Sequence, residues 1–434
     1  MAEPTSVGVI GTGQIGSRIA KRLLRAGYRV VIHDIDPAAM EGIPGALPVD
    51  SAAAVARDCD LVITCVTDHH SVRDVVIGRG GILEAVRPEH LVIETTTSTP
   101  ATTREVTAAL RGHGADLVDA PVSRGVPAAE KGTLSIMLGG DEAPRERAQP
   151  VLQQLGTEII ATGEVGTGHI AKAMNMMVMA VNFTATMELM HVADSHGISR
   201  EKSIARFASG PARSFVLDHH WPRYILPATY DSGFTLGLMW KDLRIASEIA
   251  VGSGQAPLLG ERVTSLYRWA ATAGMAESDN TQLVKFTDEI RTPRPSGQHR
   301  SIEAESLLEC LEKALFAAVY LGTLEALAVA RAAGLEPERL LAVLNASSGG
   351  SAVSRGEHGG SVNLEPLYAN AREAALIAME QGNSSFVTGL VPQILGLGLR
   401  VLSRTAPDDA VIDFICRRME TGDGSRGAGP RRNG

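Results

Sequence analysis

The 434-residue sequence has few cysteines, and their spacing provides no framework for a metal site or for disulfides. The four cysteines are Cys59, Cys65, Cys310 and Cys416, and no two of them form a CxxC pair. Structural zinc sites and disulfide-rich scaffolds both need closely spaced cysteines. The sequence therefore predicts no metal centre, and it suits a reducing, cytoplasmic environment.

An excess of basic charge and a long apolar run are also missing. Lysine and arginine total 41 against 49 aspartate and glutamate residues, which gives a net charge of −8. A protein without a generally basic surface is not expected to bind nucleic acid. No uninterrupted apolar stretch reaches the roughly 18 residues of a membrane span, and residues 1–6 do not read as a signal peptide. We therefore expect neither nucleic acid nor a membrane as a partner.

Two kinds of pattern divide the chain. Up to about Thr162, short β-branched runs alternate with helical periodicity, as in Val7–Ile10 followed by Ile15–Ala26. This alternation predicts an α/β domain with a doubly wound parallel sheet. After Gly168 the long stretches rich in Ala, Met and Leu predict helices alone. The predicted domains are 1–163, 164–290 and 301–420, followed by a disordered tail at 421–434.

The helical half contains an apparent repeat, separated by a Pro- and Gly-rich linker at 291–300. Three positions of one segment match three of the next at a constant offset of 137 residues: Glu188, Gly197 and Ile198 against Glu325, Gly334 and Leu335. A duplicated helical domain explains this offset. Two unrelated Ala-rich helices, each ended by a glycine, explain it equally well.

A glycine-rich loop follows the first predicted strand. Gly11, Gly13 and Gly16 fit the GxGxxG pattern, with Gln14 and Ile15 between the last two glycines. In a strand-to-helix turn these glycines allow a tight turn, a close approach of the backbone to a pyrophosphate, and close helix packing. The pyrophosphate then lies at the positive end of a helix dipole. The loop predicts a dinucleotide site.

An acidic residue indicates which dinucleotide binds. Asp34 follows the second predicted strand, Arg29–His33, and lies 21 residues after Gly13, where an acid bonds the hydroxyls of the adenosine ribose. Ile35 and Asp36 follow it, and no arginine is present there to receive a 2′-phosphate. The sequence therefore favours NAD over NADP.

Three further motifs occur where the chain leaves a strand or enters a helix. They are IETTTSTP at 93–100, DAPVSRG at 119–125 and GTGHIAKAMN at 166–175. Together with the glycine-rich loop they resemble the β-hydroxyacid dehydrogenase family, which includes the 3-hydroxyisobutyrate dehydrogenases. The resemblance extends from about Val7 to Asp288. It implies a Rossmann domain followed by an all-α domain like that of 6-phosphogluconate dehydrogenase.

The resemblance also implies roles for single residues. Ser123 and Gly125 match the segment that binds the substrate carboxylate, and a hydroxyl with backbone amides can hold an anion there. Arg124 replaces a glycine of that segment and adds a guanidinium, which suggests a more highly charged substrate. Thr97 matches a position near the nicotinamide ribose.

Lys172 matches the catalytic lysine of the family, and Asn175 matches its companion. The two are three residues apart, so on a helix they share one face. An ammonium placed there can stabilise an alkoxide and exchange its proton, and burial would lower its pKa. Phe234, Lys241 and Asp242 match the segment that lines the substrate pocket from the helical domain.

The predicted function is NAD-dependent hydride transfer involving a small, anionic β-hydroxy acid or the corresponding semialdehyde or keto acid. The anion is left open among carboxylate, phosphonate and sulfonate. Two alternatives remain: an imine reductase of related architecture, against which Lys172 argues, and a non-catalytic NAD-binding scaffold. The offset of 137 places Glu309 and Glu312 at the positions of Lys172 and Asn175, so the second helical segment is predicted to be catalytically empty. That segment would form an internal pseudo-dimer within a monomer or homo-oligomer.

Overall fold

The computed structural model describes residues 6–290 and 302–416. The expected linker at 291–300 and the expected tail at 421–434 lie outside these ranges. The nine strands of the N-terminal sheet are β1 Ser6–Ile10, β2 Arg29–His33, β3 Leu47–Pro48, β4 Leu61–Thr64, β5 Leu91–Glu94, β6 Asp116–Asp119, β7 Val122–Ser123, β8 Leu134–Gly139 and β9 Gly156–Gly163.

The sheet is parallel at its centre and mixed at one edge. The strand order is β3-β2-β1-β4-β5-β6-β8-β7, with β9 paired to β8. The first six strands pair in parallel, whereas β8 runs antiparallel to β6 and β7. The central strands are buried on both faces because helices cover each side. The predicted doubly wound sheet is confirmed, and the antiparallel edge is an addition to it.

The helices of this domain follow the strands in alternation. They are α1 Gly16–Arg25, α2 Pro37–Met40, α3 Ala52–Asp58, α4 His69–Ile77, α5 Pro100–Arg111, α6 Gly125–Lys131 and α7 Glu142–Leu152, with a 3₁₀ turn at Ile82–Glu84. The strand order reverses between β1 and β4, and ligands of such sheets bind at this point, beyond the carboxyl ends of the strands.

The rest of the chain, as far as residues 164–290 and 302–416 describe it, is helical except for one short ribbon. Its helices are α8 Thr167–Ser195, α9 Arg200–Ala208, α10 Leu236–Gly252, α11 Leu258–Ala270, α12 Leu283–Ile290, α13 Ala304–Ala333, α14 Pro337–Asn345, α15 Leu364–Glu380, α16 Val391–Val401 and α17 Asp408–Ile415, with π-helices at Val216–Ile225 and Ala271–Met275 and a 3₁₀ turn at Asn280–Gln282. Strands β10 Ser361–Asn363 and β11 Thr405–Pro407 form an antiparallel pair that the sequence did not predict.

Helices α8 and α13 form the centre of the helical half. By length and composition both could cross a membrane, but their most apolar windows are 100% and 94% buried inside the protein. The Val181 side chain of α8 packs directly against Gly322 of α13, where an added Cβ would lie 2.7 Å from Val181 Cγ1. Helices that are apolar on every side are typical of a protein interior. Each of the two helical segments contributes one of these helices, and together the two helices form the core of the helical half.

The two helical segments, residues 164–290 and 302–416, exchange reciprocal hydrogen bonds. The Phe215 N–H donates to the Gly350 carbonyl at 2.8 Å, and the Ala352 N–H donates to the Arg213 carbonyl at 2.9 Å. The two donors, Phe215 and Ala352, are 137 residues apart, and so are the two acceptors, Arg213 and Gly350. A reciprocal exchange of this kind is what a two-fold relation produces.

A pair of buried glutamates makes a second reciprocal contact. Glu325 on α13 accepts N–H groups of residues 258–260 at the start of α11. Its counterpart Glu188 on α8 accepts the N–H groups of Val387 and Thr388, just before α16. Burial raises the pKa of each carboxyl to about 7. Each glutamate therefore ties its own segment to a helix start of the other.

The second helical segment also touches the sheet directly. Arg339 on α14 donates to the Ala161 carbonyl on β9 at 3.2 Å, and the Ser347 hydroxyl lies 3.1 Å from that of Ser135 on β8. The Rossmann domain therefore contacts the second helical segment as well as the first. The mixed edge of the sheet provides the additional contact surface.

Candidate active site

A cavity of about 2160 Å³ lies between the carboxyl ends of the strands and the helical half. Residues from the Rossmann domain and from both helical segments line it. Of the residues singled out from the sequence, these line the cavity: Gly11, Gly13, Gln14, Ile15, Gly16, Asp34, Thr97, Ser123, Arg124, Gly125, Lys172, Phe234, Lys241 and Asp242. Asn175 is fully buried behind the wall.

The glycine-rich loop has the geometry that a pyrophosphate requires. Gly11 adopts a φ of 89°, and a Cβ at Gly16 would overlap the Gly11 carbonyl oxygen. A Cβ at Gly13, in contrast, would meet no heavy atom within 4 Å, so the backbone is open to a ligand there. The loop leads into the N-terminus of α1. These residues fit the diphosphate of a dinucleotide.

Asp34 is held at the end of β2, beside this loop. Its carboxylate accepts the N–H of Thr12 at 2.6 Å and the N–H of Asp36 at 2.9 Å. Ile35 next to it is 97% exposed and carries no charge. A fixed carboxylate of this kind can accept hydrogen bonds from ribose hydroxyls and would repel a phosphate.

Asp119 fixes the start of α8. The fully buried carboxylate accepts the N–H of Gly166 at 2.8 Å and the N–H of His169 at 3.1 Å. The His169 ring lies 3.4 Å from the carboxylate of Glu94 on β5. Burial raises the pKa of the Asp119 carboxyl, and nearby His169 opposes that rise. Asp119 thus caps the helix that carries Lys172.

Lys172 lies on the first turns of α8, with a relative exposure of 6%. Burial lowers the pKa of its ammonium; the charge of Asp242 opposes this shift, and that of Lys241 reinforces it. Asp242 on α10 is itself buried, and its carboxylate lies 3.4 Å from the Lys241 ammonium. A buried lysine with a lowered pKa gives up its proton more readily than an ordinary lysine and is suited to proton exchange with a substrate.

Residues 123–125 form a wall of the cavity on the side of the Rossmann domain. Ser123 is buried at the end of β7, while Arg124 and Gly125 have φ values of 79° and 69°. A left-handed backbone explains why glycine suits position 124 in the family. The Arg124 guanidinium donates to the carbonyl of Thr133 at 3.2 Å and to that of Ala346 at 2.9 Å. Arg124 therefore links this wall to the second helical segment.

Asn175 is held by the second helical segment rather than by Lys172. Its side-chain amide donates to the Ser348 hydroxyl at 3.1 Å, and its oxygen accepts the Gly349 N–H at 2.9 Å. Residues 345–348 line the cavity. The second helical segment therefore forms part of the cavity wall, which the sequence analysis did not anticipate, and its lack of catalytic residues stays a prediction. The small polar run after Leu344, NASSGGS, was the available signal for a loop that approaches another backbone closely.

His219 and His220 lie on the π-helix Val216–Ile225 and also line the cavity, although the sequence analysis did not single them out. π-helical turns are rare and occur frequently at functional sites, and nothing in the local sequence pattern indicated this one. Among residues 6–290 and 302–416 no cluster of three metal-ligating side chains occurs, and the absence of a metal stays a prediction.

Comparison with protein families gives two adjacent matches. Residues 6–163 match the profile of the NAD-binding domain of 6-phosphogluconate dehydrogenase. Residues 166–287 match the profile described as NAD-binding of NADP-dependent 3-hydroxyisobutyrate dehydrogenase. Among curated proteins, the NAD-dependent L-serine dehydrogenase of Pseudomonas aeruginosa is 33% identical over 290 residues, which are 65% of this chain and 97% of that protein.

Two solved structures resemble the chain over different lengths. The 3-hydroxyisobutyrate dehydrogenase of Mycobacterium tuberculosis, solved with L-serine, is 31% identical with a TM-score of 0.61, over 65% of this chain and 98% of that one. The 6-phosphogluconate dehydrogenase of Plasmodium falciparum, with a TM-score of 0.67, covers 94% of both chains at 11% identity and shows the fold alone. The chain therefore belongs to the β-hydroxyacid dehydrogenase family of the 3-hydroxyisobutyrate dehydrogenases and is an NAD-binding oxidoreductase of that family.

Proposed function

We propose that the protein uses NAD to oxidise a small, anionic β-hydroxy acid, or reduces the corresponding semialdehyde or keto acid in the reverse direction. The observation that carries this proposal is the buried Lys172 ammonium, which lines the same cavity as the glycine-rich loop and Ser123. Hydride acceptance is the chemistry that NAD supplies when it is bound. The Gly11–Gly16 loop and Asp34 would hold the dinucleotide, and Thr97 would lie near its nicotinamide ribose.

The side chains around the cavity have separate roles in proton transfer and in substrate binding. The neutral amine of Lys172, favoured by the lowered pKa, accepts the hydroxyl proton during oxidation, and the resulting ammonium returns it during reduction. The Ser123 hydroxyl and the backbone N–H of Gly125 bind the substrate anion, and Arg124 adds a positive charge beside them. Phe234, Lys241 and Asp242 form the wall contributed by the helical half.

The same features rank the alternatives. An imine reductase of related architecture usually has no lysine at the position of Lys172, so the buried ammonium favours the hydroxy acid reaction. A scaffold that only binds NAD has no use for a buried lysine, whose desolvation costs free energy. Because the relatives include proteins named for L-serine and 3-hydroxyisobutyrate, these two compounds head the substrate panel.

We further propose the division into residues 1–163, 164–290 and 301–420, with the third part derived from the second by duplication. The reciprocal contacts of Phe215 and Ala352 support it. In this proposal the third part occupies the place of a partner subunit, so that the pseudo-dimer is internal and the protein is a monomer or a homo-oligomer of such units. We place the protein in the cytoplasm, which the four free thiols support.

The test replaces Lys172 by alanine. A panel of hydroxy acids is first screened for NADH formation at alkaline pH, and the fastest substrate is kept. We expect Lys172→Ala to lower kcat by about 10²-fold or more, the usual contribution of a general acid–base group, while the Kd for NAD stays unchanged. Lys313→Ala is the matched control, because Lys313 lies on the surface of α13 and pairs with Glu309. Retention of most of kcat by Lys172→Ala would contradict the proposal.

A further inference from the structure

The loop that follows α14, residues 346–350, is placed by several independent contacts. The Ala346 carbonyl accepts from Arg124, the Ser347 hydroxyl meets that of Ser135, and the Gly350 carbonyl accepts from Phe215. These partners belong to the Rossmann domain and to the first helical segment. The loop is therefore fixed from two sides, and its residues 346–348 line the cavity.

Asn175 is closed off from the cavity by this loop. The Gly349 N–H occupies its amide oxygen, and its amide nitrogen donates to Ser348 Oγ. Asn175 has no exposed surface, whereas Ser348 is partly exposed and lines the cavity. A ligand in the cavity therefore meets the Ser348 hydroxyl where the sequence had led us to expect the asparagine amide.

The direction of the hydrogen bond leaves Ser348 with a free donor. An amide N–H can only donate, so Ser348 Oγ is the acceptor in its contact with Asn175. Its own hydroxyl proton has no acceptor among residues 6–290 and 302–416. A hydroxyl that already accepts a hydrogen bond is polarised and becomes a better donor to the next acceptor. The acceptor that the cavity would supply is an oxygen of an anionic substrate.

We propose that Ser348, contributed by the second helical segment, is a substrate-binding residue that donates a hydrogen bond to an oxygen of the hydroxy acid and is oriented by Asn175. This inference rests on the proposed function, since it takes the substrate of that reaction as its ligand. Asn175 is then a positioning residue, and the second helical segment supplies part of the active site.

The small residues of the loop are explained by the same geometry. A Cβ at Gly349 would lie 2.9 Å from Asn175 Oδ1 and 2.6 Å from Leu344 Cδ2, so any larger residue would push the loop away from α8. The close approach therefore depends on glycine at this position. Displacement of the loop would carry Ser348 out of reach of both Asn175 and the substrate.

The experiment compares two serines of the same segment in the full chain. Ser348→Ala removes the proposed donor, whereas Ser354→Ala removes a buried hydroxyl that bonds Asn345 and Ser351 and does not line the cavity. With the hydroxy acid chosen by the panel, we expect Ser348→Ala to raise KM roughly tenfold or more, the effect of losing a hydrogen bond to a charged group. The Kd for NAD and the Tm should stay at their wild-type values. Ser348→Thr, which keeps the hydroxyl, should restore most of the affinity.

The outcomes separate this inference from the proposed function. If Lys172→Ala is inactive but Ser348→Ala has wild-type KM and kcat, the role of Ser348 is overturned and the proposed function stands. If Ser354→Ala raises KM as much as Ser348→Ala, loop packing explains the effect, and the proposal also fails. If Lys172→Ala keeps its activity, the proposed function itself is wrong. A selective rise in KM for Ser348→Ala, rescued by threonine, supports the proposal.

Discussion

The reciprocal glutamates predict a large loss of stability for a nearly isosteric substitution, Glu325→Gln. The Glu325 carboxylate is 2% exposed and accepts three backbone N–H groups, from Leu258 at 2.9 Å, Leu259 at 3.0 Å and Gly260 at 3.2 Å. Both oxygens are used as acceptors. A glutamine keeps one oxygen and turns an NH₂ group toward a backbone N–H, so at least one buried donor loses its partner.

The magnitude follows from these contacts. An unsatisfied buried N–H costs about 1–3 kcal/mol. We therefore expect Glu325→Gln to lower the free energy of unfolding by about 1–3 kcal/mol, a sizeable part of the roughly 5–15 kcal/mol that stabilises a typical domain. Glu188→Gln should cause at least as large a loss, because Glu188 also accepts the Thr388 hydroxyl at 2.7 Å.

Urea denaturation followed by circular dichroism measures this loss. Glu338→Gln is the control, since Glu338 is exposed on the first turn of α14. If Glu325→Gln unfolds within about 0.5 kcal/mol of the wild type, the range of ordinary surface substitutions, the reasoning is refuted.

The same glutamates predict a dependence of stability on pH. Burial raises the pKa of each carboxyl from 4.5 to about 7, so the folded state binds these protons more tightly than the unfolded state. The stability contributed by Glu188 and Glu325 is therefore fully present below about pH 4.5 and is lost as the pH rises through about 7. Each Gln variant should show a smaller decline than the wild type over this window.

Two further predictions concern the cofactor and the second helical segment. Because Asp34 lies beside the glycine-rich loop, kcat/KM with NAD should exceed kcat/KM with NADP. Asp34→Ala should narrow the difference between these two kcat/KM values. Equal kcat/KM of the wild type with the two cofactors would contradict this prediction. Deletion of residues 301–434 should give insoluble or newly oligomeric protein, since it uncovers the apolar surface of α8, each Å² of which contributes roughly 25 cal/mol when buried. A soluble, monomeric and fully active truncation, examined by gel filtration and NADH formation, would exclude this role.

The sequence by itself determined the features that depend on neighbouring residues. Strand and helix periodicity gave the parallel core of the sheet, because a period of two or of 3.6 residues is a local property. The GxGxxG loop and Asp34 lie on consecutive elements of one unit, so their proximity follows from the chain direction alone. Lys172 and Asn175 share a helix face because they are three residues apart.

Only the tertiary structure decided which distant segments meet. Asn175 and Ser348 are 173 residues apart, and Arg124 and Ala346 are 222 residues apart, so no local pattern encodes their contacts. The shared helix face of Lys172 and Asn175 did not reveal that a loop of the second helical segment separates Asn175 from the cavity. That loop is positioned by the packing of α13 on α8 and by the hydrogen bonds that the two segments exchange across it. Burial and shape complementarity over the whole molecule select such contacts, and a linear pattern of residue types does not contain them.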